Sequence, residues 1–222
     1  MRKIGIIAAL SGELKPLVKG WQQSGSLFTG QIGDNTCIAV AGGVGSEAAT
    51  KACELVLAEG KLDALISYGW AGALSCGIKP PSASAIREVI DSRTKERFVT
   101  DSPEGQRLVT HDHVVPPGEK RQLATEYQAA LVDMEAAAVA RIAAARNIPF
   151  YCFKGVSDGS NDNLPDFNRF MGKDGQFRMP LFVAYALFHP VYWPALHRLD
   201  SQSKAAAVNL ATLATESLGR RL

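Results

Sequence analysis

The chain has 222 residues, 46% of them hydrophobic, and its 24 Lys plus Arg against 22 Asp plus Glu leave a net charge of +2. That length suits one α/β domain able to bury most of its apolar surface, and near-neutrality gives no long-range attraction to nucleic acid. Cys37, Cys53, Cys76 and Cys152 lie far apart with no C-x-x-C pair, so they read as ordinary thiols of a protein kept in a reducing cytoplasm.

The N-terminal MRKIGIIAAL turns polar at SGELK, an apolar run too short for a secretory leader. KIGIIAAL reads as a strand buried on both faces, and NTCIAVAGGVG, LDALISYGWAG, RLVTHDHVV and IPFYCFKGVSD repeat the pattern. Between them, GELKPLVKGW, SEAATKACELVLAEG with Ser46 as N-cap, and DMEAAAVARIAAARN read as helices. This alternation predicts an α/β fold spanning 1–222, a mostly parallel or mixed central sheet flanked by helices. Pro80 to Gly105 reads as an irregular connection or short edge elements, and Asp158 to Gly175 as a polar, turn-rich loop.

An apolar helical region is expected from about 176. His189, Pro190 and Pro194 interrupt it, so it lacks the roughly twenty apolar residues of a membrane span. It reads first as core or subunit interface, and second as a surface for peripheral membrane contact or a greasy ligand.

Several motifs fail on their context. Gly43, Gly45 and Ala48 fit G-x-G-x-x-A, but Asp63 would precede the next strand rather than end it, so a tight strand-to-helix turn is favoured over a dinucleotide site. SDGSNDN has Arg169 where a calcium loop needs an acid. His111 and His113 of HDH would share one side of a strand, yet with only His189 and His197 elsewhere no third ligand is evident, and a structural or pocket-lining role is expected. No G-x-S-x-G elbow or P-loop is present, and no metal or cofactor is expected.

What remains are carboxylates at strand ends and helix heads: Glu13, Asp133, Glu135 and Asp158. In open α/β sheets such positions converge outside the carboxyl ends of the strands. Helix-head stabilisation accounts for Asp133, but Glu135 and Asp158 adjoin apolar segments, and a buried acid needs a partner or a use.

In order and spacing, IGIIAALSGEL, GGVGSEAA, ISYGWAGAL, VDMEAAAVA and KGVSDGSND resemble the purine nucleoside phosphorylase and nucleosidase superfamily. The likeness is greatest to the methylthioadenosine/S-adenosylhomocysteine nucleosidases and the hopanoid-associated phosphorylases, and it runs from Lys3 to about Met171. The resemblance implies a nucleoside phosphorylase-like fold in which Asp158 protonates the purine with Ser157 positioning it, and Glu13 activates water. It implies further that Glu135 and Met134, beside Asp133, hold the ribose, that Trp70, Ala71 and Gly72 line the sugar and base, and that the protein forms a homo-oligomer. N-glycosidic cleavage asks independently for two separated carboxylates, one for the leaving base and one for the nucleophile.

A phosphorylase would hold its dianion with arginine forks, and no arginine stands between Arg2 and Arg87. Water is therefore the expected nucleophile, with phosphorolysis through a backbone nest at GGVG as the alternative and a non-catalytic nucleoside-binding protein as the rival of another class. Against the nucleosidase pattern, Val114 and Val115 stand where an aromatic residue meets the base, Trp70 replaces a serine-like residue, and Lys154 replaces an arginine. The connection from Gly77 to Arg107 is also short for that group. A shortened pocket wall would admit a larger 5′ group, so the expected substrate is a purine nucleoside, adenine by preference, with an apolar 5′ substituent such as that of adenosylhopane.

Overall fold

The computed structural model describes residues 2–102, 104–162, 164–170, 172 and 178–219. Strands β1 (Lys3–Ala8), β4 (Asn35–Ala41), β5 (Ala64–Ala73) and β10 (Phe150–Asp158) run parallel in the order β4-β1-β5-β10. Their apolar runs are covered on both faces, as parallel strands require. β3 (Leu27–Ile32) and β2 (Gln22–Ser24) extend the β4 edge antiparallel.

On the other side the sheet closes. β6 (Ala83–Asp91) pairs antiparallel with β10 and parallel with β8 (Gln106–Thr110), β8 pairs with β9 (Leu131–Asp133), and β9 returns to the end of β5. The circuit β5-β10-β6-β8-β9 is a small barrel from which the rest of the sheet extends, with β7 (Arg97–Val99) paired outside it on β6.

Helices cover this sheet in layers. α2 (Ser46–Ala58) and α4 (Ala136–Ala145) pack on one face, where Ala49, Ala52, Cys53 and Val56 meet Ala136, Ala140 and Ala143 over Ile7, Val40 and Leu65. The alanine-rich sequence lets two helix backbones approach closely. α6 (Trp193–Gly219) covers the other face, setting Leu210, Ala214 and Leu218 on Ile4, Ile66 and Phe153 with Leu14 and Leu17 beside them. α3 (Pro117–Tyr127) closes one end of the barrel with Leu123 and Tyr127 on Val109 and Val132.

Several local expectations are corrected. Pro80–Gly105 contains β6, a nine-residue strand inside the barrel. The helix expected over GELKPLVKGW stops after α1 (Ser11–Leu14), where Pro16 lacks the N–H to continue the ladder. The run expected as a strand through HDH ends at Thr110, so His111 and His113 lie in the following loop. α2 is capped by Gly45 rather than Ser46. Leu131–Asp133 is strand β9, so α4 starts only at Ala136.

The apolar segment folds as α5 (Met179–Phe188) followed by a 3-10 turn at Pro190–Tyr192. It is not core: Leu181, Val183, Leu187 and Phe188 are exposed, Phe188 at 82%. Its contacts are aromatic, with Phe182 and Tyr185 against Phe167 and Phe170 of a 3-10 helix (Phe167–Phe170). Among the described residues no helix is long and apolar enough to cross a membrane.

Candidate active site

The parallel strands β4, β1, β5 and β10 present their carboxyl ends on one side of the sheet, and the predicted acids gather there. Glu13 comes from α1, the single turn after β1, and is only 3% exposed. Its Oε2 accepts from the N–H groups of Ala9 (2.9 Å) and Leu10 (2.8 Å), and its Oε1 accepts from Trp70 N–H on β5 at 2.7 Å. Burial pushes the Glu13 carboxyl above its ordinary value, against these donors and the Lys154 ammonium, which pull it back. A carboxylate so raised is a stronger base near neutrality. Gly69 makes room for it, since a Cβ there would stand 2.7 Å from Glu13 Oε1.

Glu135 sits at the N-cap of α4, between β9 and the helix. Its Oε1 accepts from Gly45 N–H at 2.7 Å, across 90 residues of sequence. Gly45 has φ +93°, a left-handed conformation that favours glycine and that aims its N–H at Glu135. Burial, then repulsion from Asp133, pushes Glu135 up to about 8, with Lys154 and the Gly45 N–H opposing. Two buried acids with raised values close enough to repel one another are the pattern that functional sites share.

Asp133, expected among the substrate-side residues, is spent elsewhere. Its carboxylate meets Lys154 Nζ at 2.8 Å and accepts from Thr110 Oγ1 (2.7 Å) and Ala136 N–H (2.9 Å). Its side chain is fully buried, capping α4 and holding Lys154. Burial pulls the Lys154 ammonium down, but Asp133 and its other neighbours outweigh that and hold it above the ordinary lysine value. Lys154 Nζ also meets Ser67 Oγ at 3.1 Å, so the cation beneath the recess is already bound from two sides.

Asp158 ends β10 beside Gly72 of β5, two residues beyond Trp70. Ser157 Oγ donates to Asp158 Oδ1 at 2.6 Å and lies 3.4 Å from Ala71 O. The other oxygen meets Lys120 Nζ at 2.5 Å, and that ammonium also donates to Gly159 O at 2.8 Å.

Sequence reasoning missed Lys120. It is 3% exposed and shares the buried stripe of α3 with Leu123 and Tyr127. A lysine in register with that apolar stripe is a signal the sequence did carry.

The remaining expected residues divide. Trp70 borders Glu13 and carries a buried indole N–H with no protein acceptor, a group such a site can turn to a ligand. Gly72 adjoins Asp158 and Met134 is half-buried beside Glu135. Ala71 and Val115 are core residues, 3% and 6% exposed, packed in two different apolar clusters. Val114 is held by Asn168, whose side chain bonds both its N–H and its carbonyl. The glycine loop is a poor phosphate nest, because Gly42 and Gly43 donate to Ala8 O and Ala9 O and Gly45 donates to Glu135.

The model of the phosphorylase superfamily matches residues 3–118 and 108–179. A 5'-methylthioadenosine/S-adenosylhomocysteine nucleosidase of Buchnera aphidicola subsp. Baizongia pistaciae is 24% identical over 204 residues, 74% of this chain and 81% of that protein. Among solved structures, the S-adenosylhomocysteine nucleosidase of Streptococcus pyogenes in complex with 5-methylthiotubericidin superposes with a TM-score of 0.75 at 20% identity, covering 100% of this chain and 98% of the other. A mutant futalosine hydrolase of Helicobacter pylori superposes with a TM-score of 0.70 at 14% identity, covering 98% and 99%. The family model spans well over half the sequence and the fold follows it from end to end: the chain belongs to the phosphorylase superfamily.

Proposed function

We propose that the protein is an N-glycosidase that hydrolyses a purine nucleoside, adenine by preference, and releases the free base. The observation that supports this reading is the gathering of three acids toward the carboxyl ends of the parallel strands: Glu13 bonded to Trp70 N–H of β5, Glu135 bonded to Gly45 N–H after β4, and Asp158 beside Gly72 at the end of β10. Similarity to nucleosidases that act on methylthioadenosine and S-adenosylhomocysteine supports the same chemistry.

In this mechanism the C1′–N9 bond breaks and its electron pair passes to the purine, which takes a proton at N7 from Asp158. Ser157 and Lys120 orient the Asp158 carboxyl, which is reloaded from solvent as Glu13 returns its proton there. Water attacks C1′ from the opposite face and yields its proton to Glu13, the buried carboxylate with the raised value. Glu135 takes the ribose hydroxyls.

Water is favoured over phosphate as nucleophile because the glycine loop's donors are engaged and the neighbouring cation, Lys154, is locked to Asp133. The exposed apolar face of α5 joins the loop after Asp158 through Phe167 and Phe170, which supports a nucleoside with an apolar 5′ substituent of the adenosylhopane kind. That face is equally suited to a second subunit of a homo-oligomer or to peripheral contact with a membrane.

The test is free-base release from a panel of adenine and hypoxanthine nucleosides with short and long apolar 5′ groups, with and without phosphate. Release of adenine without phosphate, fastest for the long apolar group, is the expected result. Strict phosphate dependence would convert the enzyme to a phosphorylase, and tight binding without turnover would make it a nucleoside-binding protein.

A further inference from the structure

The loop between β8 and α3 draws together side chains that the proposed reaction does not use. His111 Nε2 lies 3.1 Å from Glu119 Oε1, and His113 Nε2 lies 2.9 Å from Glu119 Oε2. The third ligand missing from the HDH motif is therefore on the first turn of α3, six residues beyond His113.

The second nitrogen of each ring is also placed. His111 Nδ1 meets Ser92 Oγ at 2.7 Å, and His113 Nδ1 meets Asp112 Oδ1 at 2.7 Å. Outer partners of this kind, a hydroxyl and a carboxylate, orient the rings, as second-shell groups do around metal-bound histidines. The rings stand edge to face with centroids 4.4 Å apart.

The spacing fits. With bonds of about 2.0–2.1 Å, neighbouring ligand atoms of a tetrahedral site lie about 3.3 Å apart, close to the two imidazole–Glu119 separations, and one ligand atom from each of His111, Asp112 and His113 also lies within 4.8 Å of the others. Solvent reaches the group, since the side chains of His113 and Glu119 are 39% and 30% exposed.

We propose that His111, His113 and Glu119 form a binding site for a divalent transition metal of the zinc class, with Ser92 and Asp112 as its outer shell. Two imidazoles and a carboxylate suit zinc, cobalt(II) or nickel rather than the all-oxygen preference of magnesium or calcium. The metal braces the head of α3. Lys120, which holds Asp158, is the residue immediately after Glu119, so the brace also fixes one end of the proposed acid's support.

The experiment uses the full chain without a histidine tag, in a Cys76→Ser background because Cys76 is the exposed thiol. The protein is dialysed against a chelator, then titrated with Zn²⁺ by calorimetry and with Co²⁺ by visible absorption. One metal per chain is expected, with a tetrahedral cobalt spectrum and a rise in Tm on zinc addition. His113→Ala and Glu119→Gln should abolish all three, Ser92→Ala should weaken binding about 10-fold or more, and His189→Ala with His197→Ala should change nothing. Should His113→Ala fail to fold, Ser92→Ala decides. No binding by the parent protein, or unchanged affinity in the Ser92→Ala or His113→Ala chain, overturns the proposal. None of these readouts depends on turnover of a nucleoside, so the metal site and the N-glycosidase reading stand or fall separately.

Discussion

Lys154→Met removes one half of an ion pair that is sealed beneath the proposed site. Lys154 is 1% and Asp133 5% exposed, and their charged atoms lie 2.8 Å apart. Breaking a buried pair from one side costs about 3–5 kcal/mol, because the surviving charge has lost its compensation. Asp133 would keep the Thr110 hydroxyl and the Ala136 N–H, which places the expected loss at the lower end, about 3 kcal/mol. In a chain of this size each kcal/mol moves Tm by about 2–4 °C, so a fall of about 6–12 °C is predicted.

Calorimetric melting of the parent, Lys154→Met and Lys154→Met/Asp133→Leu chains reads this directly. The double variant should recover part of the loss, since it removes the stranded carboxylate. A Tm for Lys154→Met within about 2 °C of the parent would correspond to less than about 1 kcal/mol and would refute the buried-pair reasoning. Lys154 also draws Glu13 and Glu135 back toward ionisation, so both carboxyls should titrate higher in the variant.

Glu135 gives a pH signature. Its folded value of about 8 exceeds the ordinary 4.5, so the folded state keeps a proton that the unfolded chain loses between those limits. Its contribution is therefore most favourable below about 4.5 and is lost as pH rises toward about 8; Glu135→Gln should flatten that fall in a Tm-against-pH series, and an unchanged slope would count against the assignment. Gly69→Ala puts a methyl group 2.7 Å from Glu13 Oε1 and should abolish base release while far-UV circular dichroism stays unchanged. Retained activity would show that Glu13 need not sit where it does. Lys120→Met should lower kcat/KM on the order of 10²-fold by freeing Asp158, with Lys120→Arg restoring part of it, and equal rates in both variants and the parent would remove Lys120 from the mechanism.

The parallel strands were legible because double-sided burial writes itself as continuous apolar runs, as in KIGIIA of β1 and FYCF of β10. β6 was not, because ASAIREVID mixes Ser84, Arg87 and Glu88 into its exposed and half-buried positions, and a strand that owes its place to barrel closure carries only half the usual signal. β9 is three residues long and runs straight into an alanine-rich helix, so the helical pattern absorbs it. The helix-head role expected for Asp133 is present in its bond from Ala136 N–H, but its ion pair with Lys154, 21 residues away, could not be read from local sequence.

At the site, acids at strand ends could be read from sequence, but their partners could not. Lys120 and Asp158 are 38 residues apart and Gly45 and Glu135 are 90 apart, distances at which local periodicity carries no information. Glu119 escaped notice for a related reason. As a ligand-type residue on a helix it looks like an ordinary first-turn acid until the loop folds the two histidines against it.

The account rests most directly on proton delivery by Asp158. The decisive measurement is the rate of adenine release from methylthioadenosine and from an adenosine bearing a long apolar 5′ group, in phosphate-free buffer, by the parent and Asp158→Asn chains. The parent should release adenine from at least one of them, and the variant should do so about 10²–10⁴-fold more slowly with its Tm little changed. Equal rates in the two chains would contradict the assignment of Asp158 as the acid.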